Sequence, residues 1–115
     1  MSIVRQEVKE HLSGVVEHNG TVYVAGTTAT DKSLGMKQQT EQVLKKIDGL
    51  LAKSGTNKSK LLSATVYISD MAQKSAMNDA WLAWIDLKNP PTRACVAVEL
   101  GSKDTLVEIV VTAAK

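Results

Sequence analysis

The chain has 115 residues, 43% of them hydrophobic and 23% charged, with a formal charge of +2 at pH 7. This is the composition of one soluble globular domain spanning 1–115, long enough to bury roughly two-thirds of the surface its unfolded chain exposes. So small a charge, with no run of like residues, argues against an electrostatic nucleic-acid surface, and no apolar run reaches the roughly 18 residues of a membrane-spanning helix.

The chain opens on a polar lead, Met1-Ser2-Ile3-Val4-Arg5-Gln6-Glu7, with no apolar stretch long enough for a secretory signal, so a cytoplasmic protein is expected. Two short β runs, Gly14 to Glu17 and Thr21 to Gly26, then flank His18-Asn19-Gly20. Asn-Gly between alternating apolar residues predicts a tight hairpin, because both residues tolerate the positive φ such a turn demands. A loop rich in Gly, Thr and Asp follows from Gly26 to Lys32, and Gly26 closes the second strand where backbone can approach a neighbour closely.

From Ser33 the period changes. Met36, Val43, Leu44, Ile47, Leu50 and Leu51 recur at helical spacing, Lys37, Gln38, Gln42 and Lys45 fall on the other face, and Gly55 marks the stop. Leu62, Ala64, Val66 and Ile68 alternate with polar residues as a strand. Asp70 with Gln73 reads as a capping box opening a second helix, on which Met77, Trp81 and Trp84 recur as core residues. Asn89-Pro90-Pro91 ends that helix, and two strands separated by Gly101-Ser102-Lys103-Asp104 complete the order β-β-α-β-α-β-β. The economical layout is α+β, a single sheet with two helices on one face. Apolar residues occupy both parities of the strands, so the uncovered sheet face predicts an oligomer.

Chemistry-bearing residues are few. Cys95 is the single cysteine and has no partner for a disulfide or a zinc site, and His11 and His18 lack the spacing of a metal pair, so no metal site is expected. The two residues that stand out are Arg93 and Glu108, each a charge within a β run where apolar character is the rule. Direct pairing of the last two strands about residues 101–104 would set Glu108 opposite Ala97, about 13 Å along the strand from Arg93. That is too far for one small substrate. Non-adjacent strands, sheet twist or an adjoining subunit could each bring the two charges together.

The segment Pro91-Thr92-Arg93-Ala94-Cys95-Val96-Ala97-Val98-Glu99-Leu100, followed by Val107-Glu108-Ile109, closely resembles the C-terminal signature of the Rid (YjgF) family of reactive-intermediate deaminases. Thr65 to Asp70 resembles the family's central strand and helix start, and Met77-Asn78-Asp79-Ala80-Trp81 its Asn-x-x-aromatic helix. The resemblance implies a chorismate-mutase-like subunit and a homotrimer with clefts at the subunit boundaries. It also implies hydrolysis of enamine and imine acids such as 2-aminoacrylate to 2-keto acids and ammonia, without metal or organic cofactor. Carried over, Arg93 clamps the substrate carboxylate, which suits its planar two-pronged donor. Backbone groups at Cys95 hold the nitrogen or keto end, Gly26 matches the family's loop glycine, and Glu108 orients the attacking water. Two family features are missing. His11-Leu12-Ser13 stands where a tyrosine closes the cleft, and Ala25 stands where a serine precedes the glycine. A divergent substrate, or a trimeric carboxylate binder without turnover, are the readings these departures leave.

Overall fold

The computed structural model describes residues 2–115. Six strands form one mixed sheet: β1 (Val4–Val8), β2 (Ser13–His18), β3 (Thr21–Thr28), β4 (Leu61–Ile68), β5 (Thr92–Ala97) and β6 (Val107–Ala114). Two helices, α1 (Met36–Lys53) and α2 (Lys74–Trp84), pack on one of its faces. The fold is thus the expected α+β sheet with both helices on one side, extended by a strand in the lead, as β-β-β-α-β-α-β-β. That additional strand, Val-Arg-Gln-Glu-Val, lies at the sheet edge with four of its five residues exposed. With no buried face it carries no alternating apolar pattern, and its strand character comes from backbone pairing with β2.

The hairpin forms at Asn19-Gly20, whose φ angles of 52° and 78° are both left-handed, and His18 pairs with Thr21 across it. Helix α1 buries Met36, Gln39, Thr40, Val43, Leu44, Ile47 and Leu51, the three-and-four spacing of one helical stripe. Its end is set by Gly55 at φ 72°, which lets the amides of Gly55 and Thr56 turn back onto the carbonyls of Ala52 and Leu51. Asp70 caps the next helical segment by accepting from the Ala72 amide; the first turn, Met71–Gln73, is 3₁₀ before α2 proper begins.

The strand order is β1-β2-β3-β6-β4-β5. β4 therefore lies between the last two strands, parallel to β5 and antiparallel to β6, and the direct pairing of β5 with β6 does not occur. Val15, Val22 and Val24, Val66 and Ile68, and Val107, Ile109 and Val111 face the helices and close the core with Val43, Leu44, Ile47, Leu51 and Met77. Each such side chain, fully buried, contributes about 1.5–3 kcal/mol before entropy is counted. The opposite face is open: Tyr23 and Val96 are exposed on it, and Val16, Tyr67 and Val110 are half-buried.

Candidate functional site

Strand register decides where the four sequence-predicted residues point. Arg93 pairs with Ala64 and Cys95 with Val66, and both of those β4 residues are buried beneath the helices. Arg93 and Cys95 therefore face the helix side, at the edge of the sheet. Glu108 pairs with Tyr67 on one side and Thr28 on the other, and alternates with the buried Val107 and Ile109, so it projects from the open face. Within one protomer the predicted cation and carboxylate stand on opposite faces. The sheet order is the reason, because an inserted strand replaces the hairpin register that would have put them on the same side.

Around Arg93 the structure builds a cradle from α2. Nη1 donates to Asn78 Oδ1 at 2.8 Å and approaches Met77 Sδ at 3.8 Å, and the guanidinium carbon lies 5.2 Å from the centre of the Trp81 ring. The aromatic face stabilises the cation and the amide fixes one prong. Both contacts use the same end of the fork, so among the described residues Nη2 and Nε carry no hydrogen-bond partner. A half-buried guanidinium held by a neutral amide and a ring, with no carboxylate in contact among the described residues, keeps donors that can meet an anion. Cys95, two residues along the same strand, is a free, half-buried thiol packed against the core cluster.

Gly26 and Glu108 form the other grouping. Between Val24 and Thr27 the pairing of β3 with β6 shifts by one residue, a bulge carrying Ala25 and Gly26. The bulge turns Gly26 outward directly over the Glu108 carboxyl. A Cβ built on Gly26 would overlap Glu108 Oε2 and lie 3.0 Å from its Cδ. The glycine is required here by close approach rather than by a positive φ.

The surroundings of these residues were only partly visible in the sequence, where Asn78 and Trp81 stood out as an Asn-x-x-aromatic motif with no link to Arg93. Asn78 and Trp81 carry Arg93, and their signal was an i, i+3 pair that reads as one face of α2 once Arg93 is placed against it. Gln39 carried no signal at all. It is fully buried, donates through Nε2 to the carbonyls of Leu34 and Asp104, both at 2.9 Å, and accepts from the Leu106 amide at 3.1 Å. It thereby ties α1 to the segment that leads into Glu108.

The geometry can be set beside known proteins. Residues 3–115 match the profile of the family described as Endoribonuclease L-PSP. A RutC family protein of Haemophilus ducreyi is 46% identical over 112 residues, covering 97% of this chain and 96% of that one. Among solved structures, a member of the YjgF protein family from Neisseria meningitidis superposes with a TM-score of 0.95 at 34% identity, over 100% of this chain and 96% of that one. RidA from an Antarctic Psychrobacter superposes with a TM-score of 0.85 at 25% identity, over 94% of this chain and 91% of that one.

Proposed function

The chain belongs to the Endoribonuclease L-PSP family, the YjgF/RutC/Rid group, and from that premise we propose that it hydrolyses reactive 2-imino acids to 2-keto acids and ammonia. Water adds to the imine carbon, the nitrogen takes up protons, and the C–N bond breaks, so that one imine and one water give one ketone and one ammonia. An enamine substrate first tautomerises to the imine, whose carbon is already electrophilic. The protein then has to hold the acid, place a water and handle a proton.

Arg93 clamps the α-carboxylate through the prong left free by Asn78, backbone groups at Cys95 hold the nitrogen end, and Glu108, packed against Gly26, orients the water. The observation that carries this reading is the cradled guanidinium without an acidic partner. Because Arg93 and Glu108 face opposite sides of one sheet, a working site takes Arg93 from one copy and Glu108 from another, in a homotrimer with its clefts between subunits.

Mixing Arg93→Ala with Glu108→Ala tests both halves. Each variant alone is inactive. After dissociation and random reassembly of an equal mixture, about a quarter of the inter-subunit sites receive an intact Arg93 from one neighbour and an intact Glu108 from the other. Recovery of about a quarter of wild-type 2-keto acid release upholds the shared site. No recovery means that each chain supplies both residues itself, and a single 12.4 kDa species in sedimentation would remove the assembly altogether.

The missing aromatic closure at His11-Leu12 and the Ala25 substitution favour one second reading, a binder of small carboxylates without turnover. Identical background rates for wild type and Glu108→Ala, with 2-keto acids still bound in calorimetry, would select it. The family description names RNA cleavage, but a charge of +2 and the lack of an aromatic stacking platform argue against it here. RNA retained at physiological salt would reverse that judgement.

A further inference from the structure

A cleft of about 690 Å³ opens between α1, the turn joining β1 to β2, and the bulge of β3. Lys46 and Gly49 of α1, Lys9 and His11 of the turn, and Gly26 and Thr28 of the bulge wall it. Gly26 is thus shared between this cleft and the Glu108 carboxyl, so the cleft adjoins the position proposed above for the attacking water. A three-carbon imino acid fills little of it, since volumes of roughly 300–1,000 Å³ accommodate drug-sized ligands.

Its charge is unbalanced. Lys46 Nζ donates to the Thr28 carbonyl at 2.6 Å, which fixes the ammonium at the bulge. Partial withdrawal from water lowers the pKa of Lys46, and the nearby charges of Lys32 and Lys9 lower it further. Two carboxylates also line the cleft. Glu7 is engaged by Lys53, and Glu10 makes no ion pair. Among the described residues the ion pairs are Lys53 with Glu7 and Lys115 with Glu17, so Lys9 and Lys46, which both line the cleft, have no carboxylate at ion-pair distance. With Lys9, Lys46 and Lys53 against Glu7 and Glu10, the lining keeps a small positive excess, which favours an anion at the Lys46 end. A ligand carboxylate placed beside Lys46 would offset the repulsion that Lys32 and Lys9 exert on it.

Resting on the deaminase reading, we propose that the substrate is a dicarboxylic 2-imino acid. Its α-carboxylate lies on Arg93, and its side chain runs past Gly26 to set the second carboxylate between Lys46 and Lys9. Gly26 both lines the cleft and meets the Glu108 carboxyl, so the longer side chain enters the cleft beside the proposed water-positioning group, with His11 on the facing wall.

The test compares 2-iminoglutarate with 2-iminobutanoate, each generated in the assay by an amino-acid oxidase. Wild type favours the dicarboxylic substrate in kcat/KM by tenfold or more, the size expected for one charged hydrogen-bonded contact. Lys46→Ala and Lys9→Ala each narrow that ratio, Lys46→Glu inverts it, and Lys88→Ala, which removes a charge elsewhere on the surface, leaves it as it was. A wild-type preference for the monocarboxylic substrate, or a ratio unmoved in Lys46→Glu, overturns the proposal. If neither substrate is hydrolysed, the deaminase reading fails by itself, and calorimetry with 2-oxoglutarate and 2-oxobutanoate decides the remainder. Tenfold tighter binding of the diacid, lost in Lys46→Glu, upholds the second-carboxylate site; equal binding overturns it.

Discussion

Replacing Gly26 with alanine is the sharpest perturbation of the proposed water-positioning group, because it alters Glu108 without touching it. The new Cβ would overlap Oε2 and stand 3.0 Å from Cδ, against an ordinary carbon contact of about 3.5 Å. The clash falls on the far end of a flexible side chain on the exposed face, and the carboxylate clears it by swinging away by about 1 Å. The backbone at Gly26 has no positive φ, so alanine is not strained there, and the cost in stability stays below about 1 kcal/mol, a Tm change of no more than a few degrees. Activity is another matter: a displacement of about 1 Å in a catalytic constellation costs on the order of 100-fold. The assay is release of ammonia and 2-keto acid from a freshly generated imino acid, with Tm by thermal melt alongside. A double-mutant cycle closes the argument. If Gly26 acts through Glu108, adding Gly26→Ala to Glu108→Ala causes no further loss. An unchanged kcat in Gly26→Ala, or losses that simply add in the double variant, would refute the role given to this contact.

Arg93→Lys keeps the charge but loses the fork, and a lysine cannot satisfy Asn78 and a carboxylate in the same plane, so KM for the imino acid rises about tenfold or more; an unchanged KM excludes the clamp. Gln39→Leu removes the hydrogen bonds to the carbonyls of Leu34 and Asp104 and from the amide of Leu106, which at about 1 kcal/mol each costs about 3 kcal/mol and lowers Tm by about 10 °C. A wild-type melting curve for that variant would show that the tie between α1 and the lead into Glu108 is dispensable. Asp86 is held down to a pKa of about 2 by the Asn89 side chain, with the Ser59 side chain and the Lys88 amide adding to it. Its folded value lies below the unfolded one, so its stabilisation is present above the usual aspartate range and fades as the pH falls toward 2. Denaturant titrations from about pH 4 to pH 2 should show a shallower loss of stability in Asp86→Asn than in wild type, and parallel curves would contradict the assignment.

Local features were legible in the sequence where a single residue type answers a single geometric demand. Asn19-Gly20 supplies two left-handed residues in succession, Gly55 a left-handed helix end, and the stripe from Met36 to Leu51 a helix with one buried face. β1 was illegible because an edge strand exposed on both sides has no reason to alternate. The bulge at Ala25-Gly26 hid for a related reason: one inserted residue reverses the parity of everything after it, and Thr27 is buried where regular alternation would bury Gly26. The sides of the sheet taken by Arg93 and Glu108 depend on β4 entering between β5 and β6. That pairing is non-local and leaves no trace in the spacing of residues 93 to 108.

That insertion also bears on how the site can be completed. Were β5 and β6 neighbours, Arg93 and Glu108 would share a face, and each could neutralise the other or serve one substrate within a single chain. With β4 between them they point in opposite directions, one held against Trp81 and Asn78, the other beneath Gly26, and neither forms an ion pair among the described residues. A two-fold dimer buries a single self-complementary patch and would have to fit both sheet faces into it. Head-to-tail association, in which one copy offers the Arg93 edge and the next its Glu108 face, uses each surface once per contact and closes as a ring when the rotation permits. The same geometry that keeps the two charges apart in one protomer is therefore what makes a shared site between copies the economical arrangement, with the apolar open face of Tyr23 and Val96 supplying a reason to associate.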